Sequence, residues 1–342
     1  MSARESIVPV FVPHWGCPHA CVFCNQRRIS GQRENATAQT VKDAIEAAAA
    51  LPGNRAKRQL AFYGGSFTAI PAARQEELLG AAKEAMDRGL IGAVRLSTRP
   101  DAVDETVLVR LKRFGVETVE LGAQSMDEEV LRLAGRGHTA EDVERAARMV
   151  KAAGFRLILQ MMTGLPGDTP EKSLATARRL IALQPDGVRI YPTVIVRDTA
   201  LFDQWQAGAY REHTVEDAVA LCARLLPLFE AAGVPVIRLG LNPSEELSHG
   251  GAVAGAYHPA LGELVKSRVL LEQARRLMKG VEPGSRIVLR VAPGLISQMT
   301  GQHRQNVKAL REEFRLAELK VLPMREENSP RERIIVEKAD AL

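Results

Sequence analysis

No charged-then-apolar leader opens this sequence, and no apolar run in it is long enough to span a bilayer. We therefore expect a soluble, cytoplasmic protein with no membrane partner. Cysteine is scarce: four in 342 residues, three of them inside Cys17-Pro-His-Ala-Cys21-Val-Phe-Cys24. No second pair follows downstream, although structural zinc is usually held by two separated pairs. A disulfide would leave one of the three thiols over, and nothing suggests secretion, whereas a reducing compartment suits free thiols. The fourth, Cys222, lies among Val219, Leu225 and Leu226 at helical spacing and reads as a core residue.

What is present is enough for a large core. With 46% hydrophobic residues the chain predicts one large domain, or one large and one small. The formal net charge of +5 is compatible with an anionic partner such as RNA.

The cysteine spacing, three residues and then two, lets three thiolates reach one centre from a single loop. Thiolates are soft ligands, so zinc and an iron-sulfur cluster are the candidates. Zinc would need His14 or His19 to complete its tetrahedron. A four-iron cluster held by three cysteines would keep one iron open to a substrate or cofactor.

Along the chain, short apolar runs alternate with helical patterns. Strands are expected at 7–12, 59–63, 93–97, 118–122, 155–162, 187–191 and 234–239. Helices are expected at 40–51, 71–88, 104–114, 170–183 and 214–232, and in a segment opened by Thr139, with Asp142 as capping-box partner, and closed by Gly154. Strand alternating with helix predicts an α/β fold with a parallel sheet whose site lies at the C-terminal strand ends. Unusual polar residues gather there: Gly64-Gly65-Ser66 after the second strand, Ser97-Thr98-Arg99-Pro100-Asp101 after the third, and Gln124 after the fourth. Gln160 follows on the fifth and Tyr191 on the sixth, and together these would ring one pocket. A glutamine in an apolar run needs buried partners. His138, before a helix, suits capping and substrate contact equally.

The cysteine triplet, with Phe23 before its last member, resembles the radical S-adenosylmethionine (SAM) enzymes. The resemblance implies a partial (β/α)6 TIM-like barrel with a [4Fe-4S] cluster on Cys17, Cys21 and Cys24. It implies SAM on the open iron, cleaved by one electron to a 5'-deoxyadenosyl radical that abstracts a substrate hydrogen. An electron donor such as flavodoxin or ferredoxin follows. In that family the Gly64-Gly65 turn presents backbone groups to the amino group of SAM, with Glu usual where Ser66 stands. Ser97 stands where relatives often carry a ribose-binding Glu, and Gln124 and Gln160 would meet the ribose. Gly65 is expected to admit backbone close to the cofactor.

Residues 189–210, with Ser97–Asp101 and Glu120–Ser125, resemble the radical SAM core of the Elongator catalytic subunit, which modifies the wobble uridine of tRNA. That points to tRNA as substrate and partner. The chain is too short for that subunit's acetyltransferase domain, so no acetyl-CoA site is expected.

Residues 1–241 are expected to form the radical SAM core. Residues 242–342 would be a small α+β C-terminal domain, starting with a glycine-, serine- and histidine-rich loop or lid at 242–259. Strand, short helix, Gly301-Gln-His-Arg304 loop, helix and strand resemble a KH-type RNA-binding module, with Arg304 in place of the second glycine of its GXXG loop. Two rival readings remain open: radical chemistry on a small molecule such as a tetrapyrrole, and a zinc-bearing RNA-binding protein without catalysis.

Overall fold

The computed structural model describes residues 6–30, 34–243, 247–324 and 333–338. Strand and helix alternate as the periodicity predicts. β1 (Ser6–Val12), β2 (Arg58–Gly64), β3 (Ala93–Thr98), β4 (Val116–Gln124), β5 (Arg156–Thr163) and β6 (Gly187–Pro192) are followed by a short β7 (Val194–Val196), β8 (Val236–Leu239) and β9 (Ala252–Gly255). β1 to β6 and β8 form one seven-stranded parallel sheet in that order. Helices such as Glu105–Arg113, Ala140–Ala152 and Pro170–Ala182 connect successive strands. Each of these three begins where a side-chain oxygen of Asp104, Thr139 or Thr169 accepts a backbone N–H three residues on. The expected capping box of Thr139 and Asp142 is present.

Alternation along each strand separates two faces. Val94, Leu96, Val119, Leu121, Leu157 and Leu159 are fully buried on one. The other carries Arg95, Ser97, Glu120, Gly122, Gln124 and Gln160. At its centre the Glu120 carboxylate is wholly buried. It lies 3.2 Å from Arg95 Nη1 and 2.8 Å from Arg189 Nε, and accepts hydrogen bonds from Tyr63 Oη at 3.1 Å and Gln160 Nε2 at 2.9 Å.

These contacts require the sheet to curl. Tyr63 on β2 and Arg189 on β6 are four strand positions apart, about 19 Å in a flat sheet. Yet Arg189 Nη2 donates to Tyr63 Oη at 2.8 Å. Only a concave face brings them together, and the result is a partial barrel whose strand ends encircle one pocket.

The chain divides into two compact units, Met1–Ala218 with Leu228–Pro259, and Val219–Pro227 with Ala260–Leu342. The boundary expected at 241/242 falls inside the first unit. The segment expected as a loop or lid contains β9, which pairs antiparallel with β7, Val194 opposite Gly255 and Ile195 opposite Ala254. A pairing over some 60 residues leaves no local periodicity to read.

The second unit comprises helix Leu261–Leu277, β10 (Arg286–Val291), helix Ile296–Thr300, helix Gln305–Glu313, β11 (Glu318–Pro323) and β12 (Ile334–Lys338). β10 is central, parallel to β11 and antiparallel to β12. Leu270, Met278, Leu289, Met299, Leu310 and Leu319 form its core.

Replacing Glu120 with Ala leaves two buried guanidinium groups without their shared counterion. We expect a loss of about 3–5 kcal/mol in urea unfolding. A loss below about 1 kcal/mol would show that the arginines do not depend on it.

Candidate functional site

The cysteine loop leaves the end of β1 through two backbone turns, His14 at φ 55° and Gly16 at φ 73°. It is stitched to the turn after β2: Gly65 N donates to Val12 O at 2.8 Å and Ser66 N to Trp15 O at 2.8 Å. A Cβ on Gly65 would lie 2.1 Å from Trp15 O, and one on Gly16 2.3 Å from Ser66 O. Contact between the protein's own two turns already requires glycine at position 65, which also lines a cavity shared with the three loop cysteines.

Gln26 ties the same region from behind. Its Nε2 donates to Gly64 O at 2.9 Å and lies 4.0 Å from Cys17 Sγ, while its Oε1 accepts the His14 backbone N–H. Gln26 N donates to His14 Nε2 at 3.0 Å, so that imidazole nitrogen is already engaged as an acceptor. Burial, aided by the Arg27 charge, holds the His14 pKa below its ordinary value.

The third brace follows helix Glu128–Leu133. Ala134 O accepts Val22 N–H at 3.1 Å, and the His19 ring occupies the space that a Cβ on Gly137 would take. Arg136 is buried, with Nη1 donating to Cys21 Sγ at 3.2 Å and Nη2 to Gly122 O at 2.8 Å. Arg99 forks onto Asp101 with two 2.9 Å bonds and also donates to Arg136 O. The Ser97–Asp101 motif therefore holds the segment that holds the cysteines.

Between these elements lies a cavity of about 160 Å³ lined by all three loop cysteines, Gly64, Gly65, Ser97, Gln124, Arg136 and Gln160, among others. Gln160 connects it to the barrel floor, since its Nε2 reaches both Ser97 Oγ at 3.3 Å and Glu120. Gln124 sits at φ 63°, left-handed for a residue with a side chain, and its buried Oε1 has no partner. Arg136 Nε is likewise buried without one. A left-handed glutamine and two unpartnered buried polar atoms thus lie at one cavity.

Two expected members are not in the lining. Ser66 is buried with its hydroxyl engaged by Thr98 Oγ1 at 3.0 Å and by the Arg99 N–H at 3.1 Å. Tyr191 lies with Arg189 on the floor, where burial above all, and Glu120 beside it, raise its phenol pKa. Arg136, Gln26 and Glu120 were not singled out from sequence. The only cue was that Arg136 precedes Gly137-His138, read as a helix approach. His138 is buried, 3.2 Å from Ala123 O through Nε2, and burial depresses it to about 3, so it stays neutral at physiological pH. Cys222 is fully buried, as expected.

The three loop thiols line one cavity. Burial, then the neighbouring Cys21 and Cys17, push Cys24 up to about 12, and burial raises Cys17. The Arg136 guanidinium donates to Cys21 Sγ at 3.2 Å and so places a positive charge against the loop. Among the described residues the three sulfurs do not close on a single ion. A cubic cluster, which takes its thiolates at separate corners, does not ask them to.

Gly65→Val forces a branched side chain into two carbonyl oxygens. We expect loss of folded structure by circular dichroism, not a selective loss of ligand binding. A variant with native circular dichroism and melting temperature would contradict this.

The sequence model of the Radical SAM superfamily matches residues 12–180, and that of the Radical_SAM C-terminal domain matches residues 185–270. Elongator complex protein 3 of Homo sapiens is 33% identical over 138 residues, 40% of this chain and 25% of that protein. The tRNA uridine(34) acetyltransferase of Dehalococcoides mccartyi is 35% identical over 138 residues, 39% of this chain and 30% of that protein. The matched segment thus spans less than a third of either relative. Among solved structures, the archaeal Methanocaldococcus infernus Elp3 with residues 1–46 deleted superposes with a TM-score of 0.63 at 20% identity, covering 85% of this chain and 72% of the other, and shares the fold. The two sequence models together take in the cysteine loop and every strand end around the cavity, and the chain belongs to the radical SAM superfamily.

Proposed function

We propose that this chain is an enzyme that binds a [4Fe-4S] cluster and SAM in the cavity at the strand ends, and uses them to modify RNA, with tRNA as the substrate. The observation that carries the first part is the convergence on one cavity of three loop thiols, the Arg136 guanidinium and the unpartnered Gln124 amide oxygen. A bound cluster would supply the electron that cleaves SAM reductively to a 5'-deoxyadenosyl radical and methionine.

The protein's own residues bind, orient and exclude water. Cys17, Cys21 and Cys24 would hold the cluster through their thiolates. Arg136 offsets negative charge beside Cys21 and faces the cavity as a fixed cation for a carboxylate. Gln124 Oε1 accepts a hydroxyl, and Ser97 and Gln160 stand next to it as further polar contacts. Gly64 and Gly65 present backbone only. The tight stitching of the three braces holds this geometry before any ligand arrives.

Support for RNA comes from the relatives, which include tRNA uridine(34) acetyltransferases. The partners proposed are accordingly tRNA and a small electron donor such as flavodoxin or ferredoxin. No helix among the described residues is long and apolar enough to cross a membrane.

Because burial holds Cys17 and Cys24 above the usual thiol range, loading a cluster must expel their protons, and loading strengthens as pH rises. We expect the anaerobically reconstituted protein, with dithionite and SAM, to release 5'-deoxyadenosine. Cys17→Ala, Cys21→Ala and Cys24→Ala should each abolish iron binding and release, and Cys222→Ala should not. Stoichiometric zinc without iron, or full release from a loop-cysteine variant, would overturn the reading. Comparing the modified nucleosides of tRNA with and without the gene tests the substrate, and identical profiles would remove tRNA.

A further inference from the structure

We propose that the C-terminal unit carries a second, non-catalytic site that grips the backbone of single-stranded RNA, formed by the loop Gly301–Arg304 and Lys308 on the helix that follows. The topology is that of a GXXG clamp: β10, short helix, loop, helix and β11, with β10 and β11 parallel.

The loop backbone is built around glycine at one end and departs from it at the other. Gly301 lies at φ 74° and ψ 165°, a region open essentially to glycine, and a Cβ there would come within 2.9 Å of Gln305 Cγ. His303 at φ 49° and Arg304 at φ 60° are then both left-handed, where glycine is relaxed and a side chain is strained. Neither side chain repays that strain within the fold. Both are exposed, and neither makes a side-chain hydrogen bond or ion pair with any described residue. The same is true of Lys308, four residues past Arg304. Arg304 therefore keeps a cation where the backbone would favour glycine.

The loop is also held rigid from below. Asn306 is buried, and its Nδ2 lies 2.9 Å from Ser267 Oγ, 3.2 Å from Ser267 O and 3.2 Å from Gln298 O. Both helices flanking the loop are thereby fastened to Leu261–Leu277. A clamp fixed before binding loses less entropy on contact.

Charge selects the occupant. Residues 260–342 hold 16 Lys and Arg against 11 Asp and Glu, a balance of 16 − 11 = +5, whereas residues 1–259 hold 30 of each. The entire net charge of the chain thus lies in this segment. Of the acidic groups around the loop, Glu263 pairs with Lys266 at 3.0 Å and Glu313 with Arg275 at 2.8 Å, while Glu312, one turn past Lys308, makes no ion pair with any described residue. That leaves His303 and Arg304 in the loop as unopposed donors for phosphate, with Lys308 as a further cation one turn along the helix.

The test is a titration of the full chain with a fluorescein-labelled single-stranded RNA oligonucleotide at several salt concentrations, alongside thermal melting. R304G should weaken binding roughly tenfold and lower the slope of log K against log salt by about 0.7 for the phosphate contact removed. Its melting temperature should be unchanged or higher, because glycine relaxes the loop. R304K should retain most of the affinity. Should R304G fail to fold, K308Q, a surface change within a helix, carries the same test. K279Q is the control for diffuse attraction, since Lys279 lies past the C-terminal end of the helix Leu261–Leu277, whose last residue is about 15 Å along the axis from Ser267. Wild-type affinity in R304G or K308Q, or an equal loss in K279Q, would overturn the proposal. Either outcome leaves the cluster reading intact, because that reading stands on iron binding and 5'-deoxyadenosine release.

Discussion

A single buried carboxylate sets the shape on which everything else depends. Glu120 lies on the concave face of the sheet with no exposure to water, between the guanidinium groups of Arg95 and Arg189. A charge placed there is tolerable only if its partners surround it, and they come from β2, β3, β5 and β6. Tyr63, whose phenol is pushed up by burial and by the adjacent Glu120, remains a neutral O–H donor to that carboxylate. To satisfy all of these groups at once the sheet must be curved, and a curved sheet brings its strand ends into a ring.

The ring is then fixed in detail by backbone contacts. The turns after β1 and β2 touch so closely that only glycine fits at positions 16 and 65. The segment after helix Glu128–Leu133 presses on the cysteine loop through Ala134, Arg136 and Gly137, and Arg99 holds that segment in turn. The left-handed backbone at Gln124 and the unpartnered Gln124 Oε1 and Arg136 Nε lie at this same rigid ring, and on them the proposal of a ligand there rests.

Much of this was legible in the sequence where the signal is local. The capping box at Thr139 and Asp142 and the period of the strands depend on neighbours in the chain, and both read correctly. Gln124 and Gln160 were identifiable because amides in apolar runs are out of place. Glu120 opens the segment Glu120–Ser125 but is not recognisable there as a hub, because its partners Tyr63 and Arg189 are 57 and 69 residues away. Arg136 is 115 residues from the cysteine it faces. The inward turn of the Ser66 hydroxyl to Thr98 and the carbonyl of Trp15 against Gly65 come from turns distant in sequence and leave no local signal. The domain boundary moved for the same reason, through the pairing of β7 with β9.

The central claim is that three cysteines in one loop hold a cluster whose fourth corner receives SAM. Electron paramagnetic resonance of the reconstituted, dithionite-reduced protein before and after addition of SAM tests it most directly. The account predicts a reduced four-iron signal whose g values shift when SAM binds. A signal that SAM leaves unchanged, or a protein that takes up zinc and no iron, would contradict it.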